Sequence, residues 1–293
     1  MTLSKELDLA IKFAETKTTD GEYLTGGKEY NTYMTNTEWE NFKAKMSSDA
    51  LAEYEAGDGD ELSEKSGRPP KMACYGSSSR IFYNLSRHKE GFHYEKKLST
   101  TVGGTANIDG FLADEDRYVF VEAKCHEIYS SKNNSVSKRY EKLYNFINEQ
   151  MAGSLEISMN LSKCGRYLDV EYFADGEPLE NFDMKQMICH FLGIATGILR
   201  GELDQKQIDF IYLLYDPTEL ELEPKVKAAI ELVYSRTCFE CNLVDFTTLF
   251  YVIFKFLQEE KYGEVLSEDD LDELLCRFTF TLSSQEFYPT LLQ

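Results

Sequence analysis

Basic residues are scarce in this chain of 293 residues. Lys and Arg number 31 against 51 Asp and Glu, a formal net charge of −20 with His neutral. That balance excludes a surface uniformly suited to nucleic acid or anionic membrane, unless the charge is unevenly placed. Long apolar runs are missing too. No stretch of 18 apolar residues occurs, so no membrane-spanning segment is expected. The opening MTLSKELDLAIKFAET is charged and amphipathic and lacks the apolar heart of a signal peptide. No Gly-X-Y or heptad period, internal repeat or low-complexity tract is present, which excludes fibrous and solenoid architectures. Cysteine offers no disulfide or zinc framework. Its seven copies are scattered at 74, 125, 164, 189, 238, 241 and 276. Most lie in apolar stretches and read as reduced core residues of a cytoplasmic protein. Cys238 and Cys241 form one CxxC, and a structural zinc usually takes a second pair that this sequence does not have.

What is present is a large apolar share, 42 % with 13 % aromatic, enough to build a core. Leu3, Leu7, Ile11 and Ala14 recur at helical spacing. Thr37 is a candidate cap for a helix carrying Trp39, Phe42 and Met46, and a short helix is expected over 49–55. The run GDGDELSEKSGRPP then breaks regular structure. After it, SSSRIFYNLSRH (77–88) reads as a serine-capped helix. Strands are expected at 92–100, 105–113 and 118–125, with Gly103-Gly104 and DEDR as the connections. A long helix is expected at 135–152, an apolar helix at 183–200 and a buried strand at 207–216. Helices are expected at 223–236 (opened by Pro224), 245–260 and 268–278. The order predicts a mixed α/β fold. Residues 1–67 are expected to form a helical N-terminal extension and 68–293 an αβ domain with C-terminal helices.

One constellation carries chemistry. Glu122 and Lys124 of Glu122-Ala123-Lys124 share a strand face, together with Tyr118 and Phe120. Folding the hairpin about residues 115/116 stands Asp109 opposite Glu122, with Cβ atoms ~4.5–5.5 Å apart. Two carboxylates that close repel unless a cation lies between them, and Mg²⁺ or Mn²⁺ takes such oxygen ligands. Lys124 adds positive charge for orienting a water or steadying a phosphorane. Removing either acid is expected to leave the fold intact. The local charge agrees with a polyanion site: residues 68–145 hold 13 Lys and Arg against 9 Asp and Glu, whereas both flanks are acidic. Arg68, Lys71, Arg80, Arg87, Lys96 and Lys97 are the candidate phosphate contacts. Glu95 on the first strand is a further candidate acid. Gln186 and His190 share a helix face with Gly193 and Gly197, a stripe suited to approaching the site or a substrate backbone. Glu127 reads as a surface acid. The triplet Ser77-Ser78-Ser79 reads as a cap rather than a nucleophile, without His and Asp partners at recognisable positions.

The acid and EXK across a hairpin resemble the PD-(D/E)XK nuclease superfamily. The run RPPKMACYGSSSRIFYNL, FHYEKKL and GGTANIDGFLADEDRYVFVEAKCHEIY is similar to a bacterial restriction-endonuclease-like branch, over about 68–200. The resemblance implies a restriction-endonuclease-like core: a central mixed sheet with an antiparallel three-strand meander, flanked by helices. It implies a nuclease that hydrolyses DNA phosphodiester bonds. Asp109 and Glu122 would hold Mg²⁺ or Mn²⁺ and Lys124 would serve the water, with Glu95 and Gln186 as secondary catalytic candidates. The proline that nominally precedes the acid is missing, since Ile108 stands there and Gly110 follows Asp109. DNA is the expected partner and a membrane is not; the oligomeric state, homodimer included, is left open. Two rival readings are a non-catalytic acidic binding or inhibitory protein on a nuclease scaffold, and a hydrolase of another phosphate ester.

Overall fold

The computed structural model describes residues 2–15, 32–57, 61–130, 134–262, 273–274 and 276–285. Among these, helices α1 (Leu3–Glu15), α2 (Asn36–Lys43) and α3 (Ser48–Ala56) come first, followed by α4 (Ser78–Ser86). The apolar stripe of α1 buries Leu7, Ala10 and Ile11. The cap of α2 is Thr35 rather than Thr37. Glu38 lies three residues beyond Thr35, and the two close a reciprocal box: the Glu38 amide donates to Thr35 Oγ1 and the Thr35 amide to Glu38 Oε2.

Strands β1 (Phe92–Ser99), β2 (Thr105–Ala113) and β3 (Arg117–Lys124) form the expected antiparallel meander. The β2–β3 hairpin folds where the sequence predicts, pairing Gly110 with Val121 and Phe111 with Phe120. The chain returns to this sheet as β8 (Gln207–Leu214), parallel to β3. β9 (Phe278–Ser283) then adds a parallel edge, giving the order β1-β2-β3-β8-β9. The C-terminal addition is therefore not purely helical. Phe278 stacks on Phe250 with ring centroids 4.3 Å apart, so aromatic burial rather than helix propensity decides this segment. Most of the helix expected at 268–278 lies outside the described residues.

Between β3 and β8 the chain builds a second, antiparallel sheet. It comprises β4 (Ser135–Ser137), β5 (Leu155–Leu161), β6 (Tyr167–Ala174) and the short β7 (Glu177–Pro178), in the order β4-β6-β5 with β7 on β6. The long helix expected at 135–152 is consequently shorter. Val136 pairs with Leu168 in the sheet, residues 138–140 make a 3₁₀ turn, and α5 spans Glu141–Gln150. α6 (Met184–Leu199), α7 (Pro224–Asn242) and α8 (Phe246–Leu257) complete the described helices. No single described helix is long and apolar enough to cross a membrane.

The main sheet is buried on both faces. α6 and α8 cover one side with Ile108, Phe120, Phe191, Phe210 and Phe250, in a core that extends to α5 and the second sheet. α1–α4 cover the other with Leu7, Trp39, Phe82, Val119 and Val121. The described residues before 68 thus pack in the core on this side of the sheet. β1 and β2 change sides together. Phe92, Tyr94 and Leu112 join the α4 core, whereas Leu98, Ala106 and Ile108, of the same parity, join the α6 core. The ladder is interrupted between Tyr94↔Gly110 and Lys96↔Ile108, at Glu95 and Asp109. Glu95 there has a left-handed backbone, φ 55°.

Candidate active site

The interruption in the sheet opens a cleft of about 350 Å³ at the C-terminal end of β3. Asp109, Glu122, Lys124, Glu127, Gln186, Glu61 and Lys71 line it. Asp109 lies in the gap of the β1–β2 ladder, between the rungs at Ile108 and Gly110. Its Oδ2 accepts a hydrogen bond from the Ala123 amide at 2.7 Å, replacing the next backbone rung of the hairpin. The side chain is therefore fixed against β3 beside Glu122.

Glu122 is buried, with 1 % of its surface exposed. Lys124 Nζ donates to its Oε1 at 2.6 Å, and His190 Nε2 on α6 donates to its Oε2 at 2.9 Å. Burial alone would raise the Glu122 carboxyl, but Lys124 and His190 outweigh it and bring the pKa down to about 2. Burial likewise opposes the Lys124 ammonium, yet Glu122 and neighbouring groups hold it charged well beyond the usual lysine range. Asp109 goes the opposite way: burial and then the Glu122 charge push it well above the usual carboxylate range. Adjacent acids with opposed tendencies mark a site short of positive charge.

Glu95 is half-buried at the ladder break. Burial, then Glu61 and Glu122, raise its carboxyl to about 7, against the opposing pull of Lys71 and Lys97. Gln186 sits on the first turn of α6, where Asp183 Oδ1 caps its amide. It lines this cleft and a neighbouring one of about 480 Å³ between β2, β4 and α6. The small-residue stripe does other work. A Cβ on Gly193 would stand 2.7 Å from Ala106 Cβ, so the glycine seats α6 against the sheet rather than facing a substrate.

Sequence reasoning missed three cleft residues. Glu61 is buried in the charged loop before Pro69; Lys71 Nζ pairs with its Oε1 at 3.2 Å, while Oε2 has no partner. Its flanking acids and glycines disguise it as solvated loop. Glu127 is no free surface acid: Ser78 Oγ donates to it at 2.7 Å and the Cys125 amide at 2.9 Å, because the strand ends at Lys124 and the chain turns back. His126, in the same turn, reaches Asp8 on α1. Arg80 is a correction. It is 3 % exposed and bound to Glu15 and the Tyr75 carbonyl, so it is a core ion and not a phosphate contact. Cys238 and Cys241 lie one turn apart on α7, with Cys241 in the core.

Comparison of the chain with family models, curated proteins and solved structures finds no match.

Proposed function

We propose that this chain is a divalent-cation-dependent nuclease hydrolysing DNA phosphodiester bonds, with β1–β3, β8 and their helices as a restriction-endonuclease-like core. The observation that carries the reading is the meeting of Asp109, Glu122 and Lys124 at one cleft where the sheet opens. The donor set suits Mg²⁺ or Mn²⁺: the acids offer hard oxygen atoms, and Glu61, whose buried Oε2 has no partner, lines the same cleft. Asp109 and Glu122 would hold the ion. When bound, it supplies Lewis-acid polarisation of the phosphate and a more acidic bound water. The protein groups do the rest. Lys124 stays protonated and offers its ammonium to an attacking water or to charge developing on phosphorus. His190 pins the second Glu122 oxygen and fixes the plane of that carboxylate. Gln186 presents an amide at the cleft edge, and Glu95 adds negative charge beside Asp109.

The test is cleavage of plasmid and linear DNA by the full chain with Mg²⁺ or Mn²⁺. Asp109→Asn, Glu122→Gln and Lys124→Ala should each lose cleavage, and Lys124→Ala should still bind Mn²⁺ in calorimetry. No cleavage of DNA with either metal sinks the reading. One observation favours a non-catalytic acidic scaffold instead: Lys124 and His190 already occupy both Glu122 oxygens. That reading expects flat Mn²⁺ calorimetry for the parent chain.

A further inference from the structure

A second cluster of ligating side chains lies beside the cleft, made by three distant pieces of chain. Asp8 comes from the buried face of α1, Cys74 from the segment before α4, and His126 from the turn after β3. Their ligand atoms all lie within 4.8 Å of one another. His126 Nδ1 is 2.8 Å from Asp8 Oδ1 and 4.0 Å from Cys74 Sγ. Around tetrahedral zinc, with bonds of about 2.0–2.3 Å, neighbouring ligand atoms stand about 3.3–3.8 Å apart. The observed separations bracket that range, so adjustments below an ångström at these two contacts would admit an ion. The surroundings fit as well. A Cβ at Gly76 would collide with the Asp8 carboxylate, so the backbone leaves the space the acid fills. The far ring nitrogen of His126, Nε2, faces Glu127 Oε1 at 3.7 Å, and Glu127 is itself held by Ser78 and the Cys125 amide. A carboxylate behind a ligating imidazole is the usual orienting partner in zinc sites.

The geometry points to a zinc site of Asp8, Cys74 and His126, with Glu127 orienting the histidine. A thiolate, an imidazole and a carboxylate suit Zn²⁺ and are a poor set for Mg²⁺, so this site is chemically separate from Asp109 and Glu122. Cys74 and His126 line both the active-site cleft and an adjoining one of about 490 Å³, which leaves the fourth position open to water or an anionic ligand. The ion would also clamp α1 to the core. The inference stands whether or not the neighbouring cleft cleaves DNA.

The test uses the full chain stripped with chelator and titrated with Zn²⁺ or Co²⁺. One equivalent of zinc should bind, and cobalt should give a thiolate-to-metal charge-transfer band. Cys74→Ser should abolish that band, whereas Cys238→Ser and Asp109→Asn should keep it. Glu127→Gln should weaken zinc affinity by about tenfold or more. A parent chain with no stoichiometric zinc and no cobalt band overturns the site, leaving only a His126–Asp8 ion pair. A band lost with Cys238→Ser and retained with Cys74→Ser overturns it equally.

Discussion

Asp109 and Glu122 look equivalent in the sequence and differ in the fold. Asp109 is pushed toward its neutral form by burial and by Glu122, so Asp109→Asn replaces a carboxyl with a near-isostere and should keep or slightly raise stability. Glu122 is the counter-charge of a lysine whose side chain is only 12 % exposed. Glu122→Gln leaves Lys124 without its partner and should cost about 3–5 kcal/mol in urea denaturation. The simple expectation that either acid can go without harm does not allow for the full pairing of Glu122, whose second partner, His190, comes from α6. The pH dependence separates further residues. Glu122, lowered from 4.5 to about 2, contributes stability that is present above pH 4.5 and lost as pH falls toward 2. Glu95, raised from 4.5 to about 7, binds its extra proton in the folded state, so stability declines as pH rises across that window. Glu95→Gln should therefore raise the melting temperature at pH 8 and leave it nearly unchanged at pH 4. The gain at pH 8 is about 1–3 kcal/mol, and equal shifts at both pH values would refute the assignment.

At the scale of elements, the site depends on how closely α6 approaches the sheet. A Cβ on Gly193 would stand 2.7 and 3.1 Å from Ala106 Cβ and Leu98 Cβ, atoms fixed to the backbone. A Cβ on Gly197 would instead meet the far end of Leu203 at 3.0 Å, which can rotate away. Gly193→Ala should cost about 1–3 kcal/mol and lift His190 from Glu122, lowering cleavage more than its stability loss explains. Gly197→Ala should be milder in both respects, and equal effects would show that α6 does not position Glu122. The meander, the β2–β3 register and the Asp109–Glu122 juxtaposition are legible in the sequence because period-two alternation and a short acidic turn determine them locally. The second sheet is not read from the sequence: no strand is expected over 153–182, although YLDVEYFA alternates as β6 does, and the helical reading of 135–152 covers β4. Nor is β9 read: FTFTLS alternates aromatic and β-branched residues as a strand does, but the helical reading of 268–278 runs into its first residue. Glu61, His126 and Asp8 are hidden for another reason: each joins a cluster through contacts between segments far apart in the chain.

For the whole molecule, the net charge of −20 sets the terms on which any polyanion is met. Arg80 is buried and spent on Glu15, and Lys71 is paired with Glu61, so the basic segment offers less to phosphate than its composition suggests. Lys96 lies 4.3 Å from the centroid of the Phe111 ring and so is partly committed to packing. Lys97 is exposed on β1, donates to the Ala56 carbonyl, and acts on Glu95 at the cleft. Its side chain belongs to neither core cluster, and its reversal changes the field at the site. DNA affinity should fall with salt on a logarithmic plot by about 0.9 per phosphate neutralised, and the slope here should be shallow. Lys97→Glu should weaken binding at low salt and flatten that slope by about 1. Lys225→Glu, on the first turn of α7, should leave both unchanged. Mg²⁺ should strengthen binding to the parent chain by offsetting the acids of the cleft, and should do so less for Asp109→Asn. Fluorescence anisotropy with a labelled duplex across a salt series measures all three. Binding indifferent to Lys97→Glu, or no binding at any salt with Mg²⁺ present, would favour an acidic scaffold for a basic partner over a nuclease.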